Sequence, residues 1–174
     1  GKEYQIESSL ERMQSEWKSV ELNIHEYTKS KDPTFVLRDV DVLLAILDEH
    51  ITATQAMQFS PFKGPFEEAI AAWNKTLQLI SEVLEEWIKL QRNWLYLQPI
   101  FESDDINQQL PQEGKRFRTV DKNWRKSMAS AKRNADDPVA VCSSEKTLKV
   151  FNEGNKLLEL VQRGLAEYLE TKRT

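Results

Sequence analysis

The sequence has few of the residues that make tight turns, cross-links or metal sites. Its 174 residues include five glycines, six prolines, two histidines and one cysteine. Few glycines and prolines leave few places for tight turns, which favours long helices. The single cysteine, Cys142, excludes an internal disulfide and is typical of a protein from a reducing compartment.

Long hydrophobic runs are also missing. No apolar run approaches the roughly 18 residues needed to cross a bilayer, so we expect no contact with a membrane. The first residues, Gly1-Lys2-Glu3-Tyr4, do not resemble a signal peptide. Both ends of the sequence are interpreted as cut within helices, which indicates an excised piece of a longer protein.

The few residues that could carry chemistry do not form a site. The run Gly114-Lys115-Arg116 lacks both the upstream glycine and the Ser or Thr of a phosphate loop, so it is interpreted as a turn or helix start. The two histidines and Cys142 are too few and too scattered for a zinc site.

The remaining candidates have structural explanations. Cys142 has small apolar neighbours and is interpreted as a buried structural thiol. The group Asp48-Glu49-His50 is interpreted as a solvated helix face, because its acids are adjacent and not one turn apart. Glu82, Glu85 and Glu86 are interpreted in the same way, because no Glu-x-x-His pair accompanies them. We therefore predict no catalytic residue, no cofactor and no metal, and we expect that the chain is not an enzyme.

What the chain does have is hydrophobic residues at helical spacing. It is 40% hydrophobic and 30% charged, enough for one or two domains with a substantial core. Apolar residues that alternate steps of three and four predict five helices. Their predicted bounds are 3–29, 39–57, 65–98, 112–133 and 144–172. All five tryptophans fall on the inward positions of these helices.

The segment between the first two helices is predicted differently. Ser30-Lys31-Asp32-Pro33 is expected to end the first helix, since the residue before a proline resists the α region. Residues 34–37, Thr-Phe-Val-Leu, favour β structure. They are interpreted either as a strand of a small β-hairpin or as simply extended chain.

The third predicted helix is the longest, and its end is abrupt. About 33 residues at 1.5 Å each make a rod of roughly 50 Å. Pro99 is expected to end this rod, because proline removes an amide donor. Trp94, Tyr96 and Phe101 are predicted to fill the corner that follows and to make it stiff.

The class predicted is all-α: an elongated antiparallel helical bundle, or a series of them, with one very long central helix. The break at Pro99 suggests two parts. Residues 1–98 would form an N-terminal helical subdomain that contains the rod, and residues 99–174 a second helical subdomain.

Positive charge is concentrated in the fourth predicted helix. Eight basic residues against the single acid Asp121 give residues 115–133 a charge of +7, and because the whole chain is −4 the remainder carries −11. Three interpretations are open: a surface helix whose basic residues pair with the bundle's own acids, a docking surface for another domain or protein, or a nucleic-acid surface. Nucleic acid is disfavoured, because Phe117 and Trp124 fall on the core side. The docking interpretation rests on Lys115, Arg116, Arg118, Lys122, Arg125 and Lys126.

Particular motifs resemble one family. These are DEHI at 48–51, SPF at 60–62, WLYLQPIF at 94–101, QLP at 109–111, RF at 116–117, VD at 120–121 and NKLLELVQRGLAEYLETKR at 155–173. Together they closely resemble the linker region of dynein heavy chains, N-terminal region 2, with an axonemal, inner-arm-like character. The resemblance covers nearly the whole chain and is weakest over residues 1–34.

The resemblance implies a mechanical function. A dynein linker lies across the AAA+ ring of its own heavy chain and bends during the nucleotide cycle of a microtubule motor. The implied partner is that ring, with microtubules and other dynein subunits reached only through the parent protein. The implied location is the cytoskeleton, in the axoneme of a cilium or flagellum. A static helical scaffold or coiled-coil adaptor similar to spectrin is the alternative, but the interruptions at 30–39, 59–65 and 99–111 argue against a simple coiled coil.

Overall fold

The computed structural model describes residues 1–173. Its elements follow one another as seven α-helices, one 3₁₀ turn and two strands. In chain order these are α1 (Lys2–Lys18), β1 (Asn23–Tyr27), β2 (Thr34–Arg38), α2 (Val40–Gln58), the 3₁₀ turn (Gly64–Phe66), α3 (Glu67–Phe101), α4 (Asp104–Gln109), α5 (Pro111–Arg133), α6 (Pro138–Cys142) and α7 (Glu145–Arg173).

The long helix α3 is the centre of the bundle. It has 35 residues, a length of about 50 Å at 1.5 Å per residue. Helix α2 packs on its first half, while α7 and α5 pack on the second half. The predicted class, all-α with one very long helix and a small hairpin, is confirmed. None of the described helices is both long enough and apolar enough to cross a membrane.

The prediction of one helix over residues 3–29 is wrong beyond Lys18. The chain leaves α1 at Ser19 and forms β1, which pairs antiparallel with β2 so that Asn23 lies opposite Arg38 and Tyr27 opposite Thr34. The spacing of Ile24 and Tyr27 fits a helix, but β1 gains its hydrogen bonds from a partner strand. The run of residues 30–33 therefore closes a hairpin instead of ending a helix.

The prediction that Pro99 ends the long helix is also wrong. Helix α3 continues to Phe101, with Pro99 exposed in its last turn. Proline there lacks the amide that would donate to the carbonyl oxygen four residues earlier. The Glu102 amide still donates to the Gln98 carbonyl oxygen at 3.1 Å, so the turn around Pro99 stays closed.

The two shortest helices were not predicted as helices. Helix α4 lies within the predicted interruption at 99–111, and α6 lies between the fourth and fifth predicted helices. Each begins at a capping side chain: Ser103 Oγ accepts from the Ile106 amide, and Asp137 Oδ1 accepts from the Ala140 amide. Helices of five or six residues are too short to show a hydrophobic period in the sequence, so their capping residues are the only sequence signal for them.

One hydrophobic core runs through the bundle, and the predicted burial of all five tryptophans is confirmed. All five side chains have exposed fractions between 0% and 6%. They are Trp17, Trp73, Trp87, Trp94 and Trp124. Gly154 of α7 lets that helix approach α3 closely, because a Cβ there would lie 3.2 Å from Leu90 Cδ1. The core is thus continuous along α3.

Candidate functional site

The C-terminal half of α3 is joined to α5 by two stacked tryptophans. The rings of Trp94 and Trp124 lie 5.6 Å apart, and both are buried. Trp94 Nε1 donates a hydrogen bond to Asp121 Oδ1 at 2.9 Å. Tyr27 of β1 meets the Trp94 ring edge-on at 5.4 Å. The Trp94 indole of α3 therefore contacts both α5 and β1, which fixes the relative positions of these three elements.

Arg125 completes this cluster. Its Nε donates to both carboxylate oxygens of Asp121 at 3.0 Å, and its guanidinium lies 5.7 Å from the centre of the Trp94 ring. Its Nη1 also donates to the backbone oxygen of Asp32 at 2.5 Å, in the hairpin loop. We call Trp94, Trp124, Asp121 and Arg125 the C-terminal brace. It ties α3, α5 and the hairpin together.

The hairpin is held against both helices by further polar contacts. Gln91 of α3 exchanges two hydrogen bonds with the backbone of Leu37: its Nε2 donates to the carbonyl oxygen at 2.8 Å, and its Oε1 accepts from the amide at 2.7 Å. From α5, Lys132 Nζ donates to the backbone oxygen of Ile24 at 3.2 Å. The Gln91 side chain thus hydrogen-bonds backbone groups of β2 that would otherwise be unpaired at the edge of the sheet.

The end of α3 is tied to the hairpin loop by Glu102. Its Oε1 accepts from the Lys31 amide and from Gln98 Nε2, both at 2.6 Å. The Lys31 amide and then the Gln98 side chain hold the pKa of the Glu102 carboxyl below its usual value. Donors favour the charged form of a carboxylate, so this contact is strongest when Glu102 is ionised.

The change of chain direction follows Phe101. Helix α4 starts at Ser103 with Asp104 and Asp105 in its first turn, where a helix N-terminus favours negative charge. Asn107 Nδ2 then donates to the carbonyl oxygens of Phe101 and Ser103, both at 2.8 Å. The corner therefore lies at residues 102–110, just after the predicted position.

The four residues predicted to form the corner differ in their surroundings. Trp94 belongs to the brace, one helical turn before the proline. Phe101 is half-buried, with its ring 5.4 Å from that of Phe117 in α5. Tyr96 is 58% exposed and Pro99 is exposed, so neither fills the corner. Trp94 and Phe101 are the members that join α3 to α5.

The basic residues of α5 divide into an exposed set and a paired set. Lys115, Arg118, Lys122 and Lys126 are exposed at steps of three and four, so they share one face, and Arg133 extends it. The buried residues Phe117, Val120, Trp124, Met128 and Ala131 occupy the opposite face. We call the five exposed cations the basic face; it is about 27 Å long at 1.5 Å per residue.

Two of the six predicted docking residues lie off this face. Arg116 is near Glu113, with Nη1 3.9 Å from Oε2, and Arg125 is bound within the brace. Arg118 stays on the face although its Nη1 donates to Asn107 Oδ1 at 3.2 Å. The free positive charge of the helix is thus carried mainly by lysines.

Two other sequence interpretations have clear outcomes. Cys142 is buried, as predicted, and burial raises the pKa of its thiol to about 12, so it stays protonated at neutral pH. The interpretation of His50 as part of a solvated face is wrong, since it is 2% exposed. Among residues 1–173, no group of three or more His, Cys, Asp or Glu side chains is arranged to hold a metal ion.

His50 is the centre of a second polar cluster, at the other end of the bundle. Its Nδ1 accepts from Trp17 Nε1 at 2.8 Å, and its Nε2 lies 2.7 Å from Glu16 Oε2. Because Nδ1 is the acceptor, Nε2 must carry the proton and donate to the carboxylate. We call Trp17, His50 and Glu16 the N-terminal clamp, which joins α1 to α2.

Comparison with known sequences identifies the family. The family model described as dynein heavy chain, N-terminal region 2, matches residues 1–174. Dynein axonemal heavy chain 1 of Rattus norvegicus is 49% identical over 174 residues, which are 100% of this chain and 4% of that protein. The chain belongs to the dynein heavy chain family.

Two further relatives of this dynein segment are also axonemal. Dynein axonemal heavy chain 12 of Homo sapiens is 42% identical over 174 residues, covering 99% of the chain and 6% of that protein. Dynein axonemal heavy chain 3 of Mus musculus is 42% identical over 172 residues, covering 99% of the chain and 4% of that protein. The segment therefore spans only about one twentieth of the length of these relatives.

Several residues of the dynein segment that hold the candidate site together were not predicted. In the sequence, Asp121 stands out only as a lone acid among cations, and nothing predicts a partner for Gln91. Nothing in the sequence predicts that Glu102 binds the Lys31 amide either. These roles depend on contacts between residues 27 to 71 positions apart in the sequence, which sequence patterns do not reveal.

Proposed function

We propose that this dynein segment is a stiff element of the mechanical linker, which passes conformational change in the AAA+ ring into the power stroke. The observation that carries the proposal is that α3, 35 residues long, is continuous through Pro99 and is packed against α2, α5 and α7. A lever needs stiff segments that join at few compliant points. A rod of about 50 Å with a continuous core meets the first requirement.

The C-terminal brace supports the same proposal. A load along α3 reaches α5 through the stack of Trp94 on Trp124 and the bond from Trp94 to Asp121. The hairpin blocks sliding between the two helices, since Gln91 and Lys132 hold its backbone from opposite sides. A static scaffold similar to spectrin has no need of a hairpin wedged between two of its helices.

The partners follow from this function. We propose that the basic face docks on an acidic surface of the AAA+ ring of the same heavy chain, and that microtubules and other dynein subunits are reached only through the parent protein. ATP hydrolysis is assigned to parts of the heavy chain outside these residues. The axonemal relatives support a location in the axoneme of a cilium or flagellum.

The division into subdomains 1–98 and 99–174 stays a prediction. It was based on a helix end at Pro99, and α3 instead runs to Phe101. We now place any compliant point in residues 102–110, after the rod has ended. There α4 is held by Ser103 Oγ, which accepts from the Ile106 amide, and by Asn107, which donates to the carbonyl oxygens of Phe101 and Ser103.

The lever proposal is tested by Phe101→Ala in the parent motor. The change removes the contact with Phe117, so force should be lost at the corner while ATP turnover persists. We expect microtubule gliding velocity to fall with little change in the ATPase rate of the same preparation. Tyr96→Ala is the matched control, because Tyr96 is an exposed aromatic on the same helix. A proportional fall in both rates, or no fall in either, would favour the static scaffold.

The docking part is tested separately by Arg118→Glu with Lys122→Glu. Both residues lie on the basic face, so reversal should weaken an electrostatic contact and its salt dependence. Gliding should slow more than basal ATP hydrolysis. The double reversal Arg12→Glu with Lys75→Glu changes the net charge equally at exposed positions outside α5 and should leave gliding unchanged. If both double variants glide alike, the basic face is only solvated.

A further inference from the structure

A groove lies between the second half of α5, α6 and the start of α7. Its volume is about 420 Å³. Trp87, Ala131 and Phe151 form its floor, with exposed fractions of 1% to 3%. Val141 and Val150 are half-buried on its walls. An apolar recess of this size holds one or two large side chains.

The floor is rigid. Trp87 Nε1 donates to Met128 Sδ at 3.2 Å, and the Trp87 ring lies 5.5 Å from that of Phe151. Both rings are therefore held from sides other than the groove. Because the floor is already positioned, an occupant would bind without first ordering it.

The rim is polar and carries charge of one sign. Lys126 of α5 and Lys146 of α7 are exposed on opposite sides of the groove. Among residues 1–173, those that line the groove include no Asp or Glu. Hydroxyl groups supply further polar contacts around the apolar floor: Ser127, Ser130, Ser144 and Thr147. A segment with an apolar side chain between carboxylates matches this pattern.

We propose that the groove is a docking site for an acidic segment of the same heavy chain, from the part outside these 174 residues. One apolar side chain of that segment enters the recess over Trp87 and Phe151. Flanking Asp or Glu residues meet Lys126 and Lys146. This site differs from the proposed ring contact of the basic face, although Lys126 belongs to both, and it does not depend on the lever function.

The size of the groove argues for a partner in the same polypeptide. A recess of about 420 Å³ admits only one or two large side chains, far fewer than the roughly 20–30 residues that each partner contributes to a stable interface between separate proteins. A tethered segment is present at an effective concentration that reaches millimolar, so a small contact is enough. The chain spans 4% of the heavy chain of its rat relative, so a parent of that kind has ample chain to supply such a segment.

The test is site-specific photocrosslinking in the purified parent heavy chain. A benzophenone amino acid replaces Ser130, which lines the groove, and the crosslinked peptide is identified by mass spectrometry. We expect it to come from the same heavy chain and to contain an apolar residue flanked by acids. The same probe at Glu85, an exposed position on α3, is the positional control and should not capture that peptide.

Charge reversal then tests the chemistry of the rim. Lys126→Glu with Lys146→Glu should reduce the crosslink by about tenfold, as expected when two rim charges meet like charges. Arg12→Glu with Lys75→Glu makes the same change in net charge outside both the groove and the basic face, and should leave the yield within about twofold. Circular dichroism checks that all variants keep their helix content.

Four results would overturn the proposal. The first three are the absence of a crosslink from position 130, a crosslink to a separate subunit, and a crosslink to a second copy of the chain. The fourth is a captured segment that lacks acidic residues and whose crosslink yield is unchanged by the charge reversal. Gliding and ATPase rates do not enter this test. Failure of the groove proposal therefore leaves the lever proposal standing, and the reverse also holds.

Discussion

Near each end of α3, a buried tryptophan of that helix lies near a buried tryptophan of another helix, and in each pair only one indole N–H is bonded within residues 1–173. Near the N-terminal clamp, Trp17 donates to His50, whereas the buried Trp73 Nε1 has no partner among residues 1–173. In the C-terminal brace, Trp94 donates to Asp121, whereas Trp124 Nε1 has none within the same residues. Each pair therefore consists of one bonded and one unbonded tryptophan, but the acceptor of the bonded indole differs between the two pairs.

The acceptors explain the difference. His50 is buried and offers a single lone pair, so the clamp depends on one tautomer and joins only α1 and α2. Asp121 is partly exposed and has a second cationic partner in Arg125, so the brace has alternatives and joins three elements. We infer that the clamp is the more sensitive to loss of one bond, and the brace to loss of packing.

The largest expected effect is therefore in the brace, from Trp94→Ala. Removal of a fully buried indole from the core should lower the free energy of unfolding by about 3–5 kcal/mol. Tyr96→Ala, two residues away on the exposed side of α3, should change it by about 0.5 kcal/mol or less. Urea unfolding of both variants measures this contrast. Equal losses would mean that the stack does not join α3 to α5.

Next in size is the clamp, where Trp17→Phe leaves the buried His50 Nδ1 without a donor. Trp73→Phe makes the same change of volume but removes a donor that has no partner. The free energy of unfolding should thus fall further for Trp17→Phe, by about 1–3 kcal/mol. Hydrogen exchange should show the loss mainly in α1. If the two variants match, the clamp bond adds nothing.

In the brace, the corresponding substitutions of a bonded and an unbonded tryptophan by phenylalanine should differ less in the free energy of unfolding. Trp94→Phe leaves Asp121 bonded to Arg125 and reachable by water, so no buried acceptor is left unpaired. Relative to Trp124→Phe, we expect an extra loss of about 1 kcal/mol, the net value of one ordinary hydrogen bond. Urea midpoints of the two variants give the answer. A contrast larger than that of the clamp would reverse our ranking of the two ends.

The smallest expected effect concerns pH at the edge of the brace. Since the pKa of Glu102 is lowered by folding, its contribution is present above the ordinary pKa of a glutamate and is lost as the pH falls through the lowered value. Wild type should lose stability between about pH 5 and pH 3 by slightly more than Glu102→Gln does. Urea midpoints across that range measure it, and equal slopes for wild type and Glu102→Gln would contradict the prediction.

The predictable part of the site was burial. Spacing alone placed Trp94 and Trp124 inside, because an amphipathic helix must turn one face to the core. Their partners were not predictable, since a period says which face is buried but not which neighbour meets it. Tyr96 shows the limit: it is aromatic and close to Pro99, yet its position on α3 turns it 58% to solvent.

The sequence by itself determined the helical class, the long rod and the family, because period, low glycine content and specific motifs are local properties. Tertiary structure decided the rest. Residues 23–27 became a strand because β2, Lys132 and Tyr27's contact with Trp94 outweigh a helical period. Pro99 stayed inside α3 because Gln98 and Glu102 close the turn around it. Such contacts join distant residues, and only the folded chain brings them together.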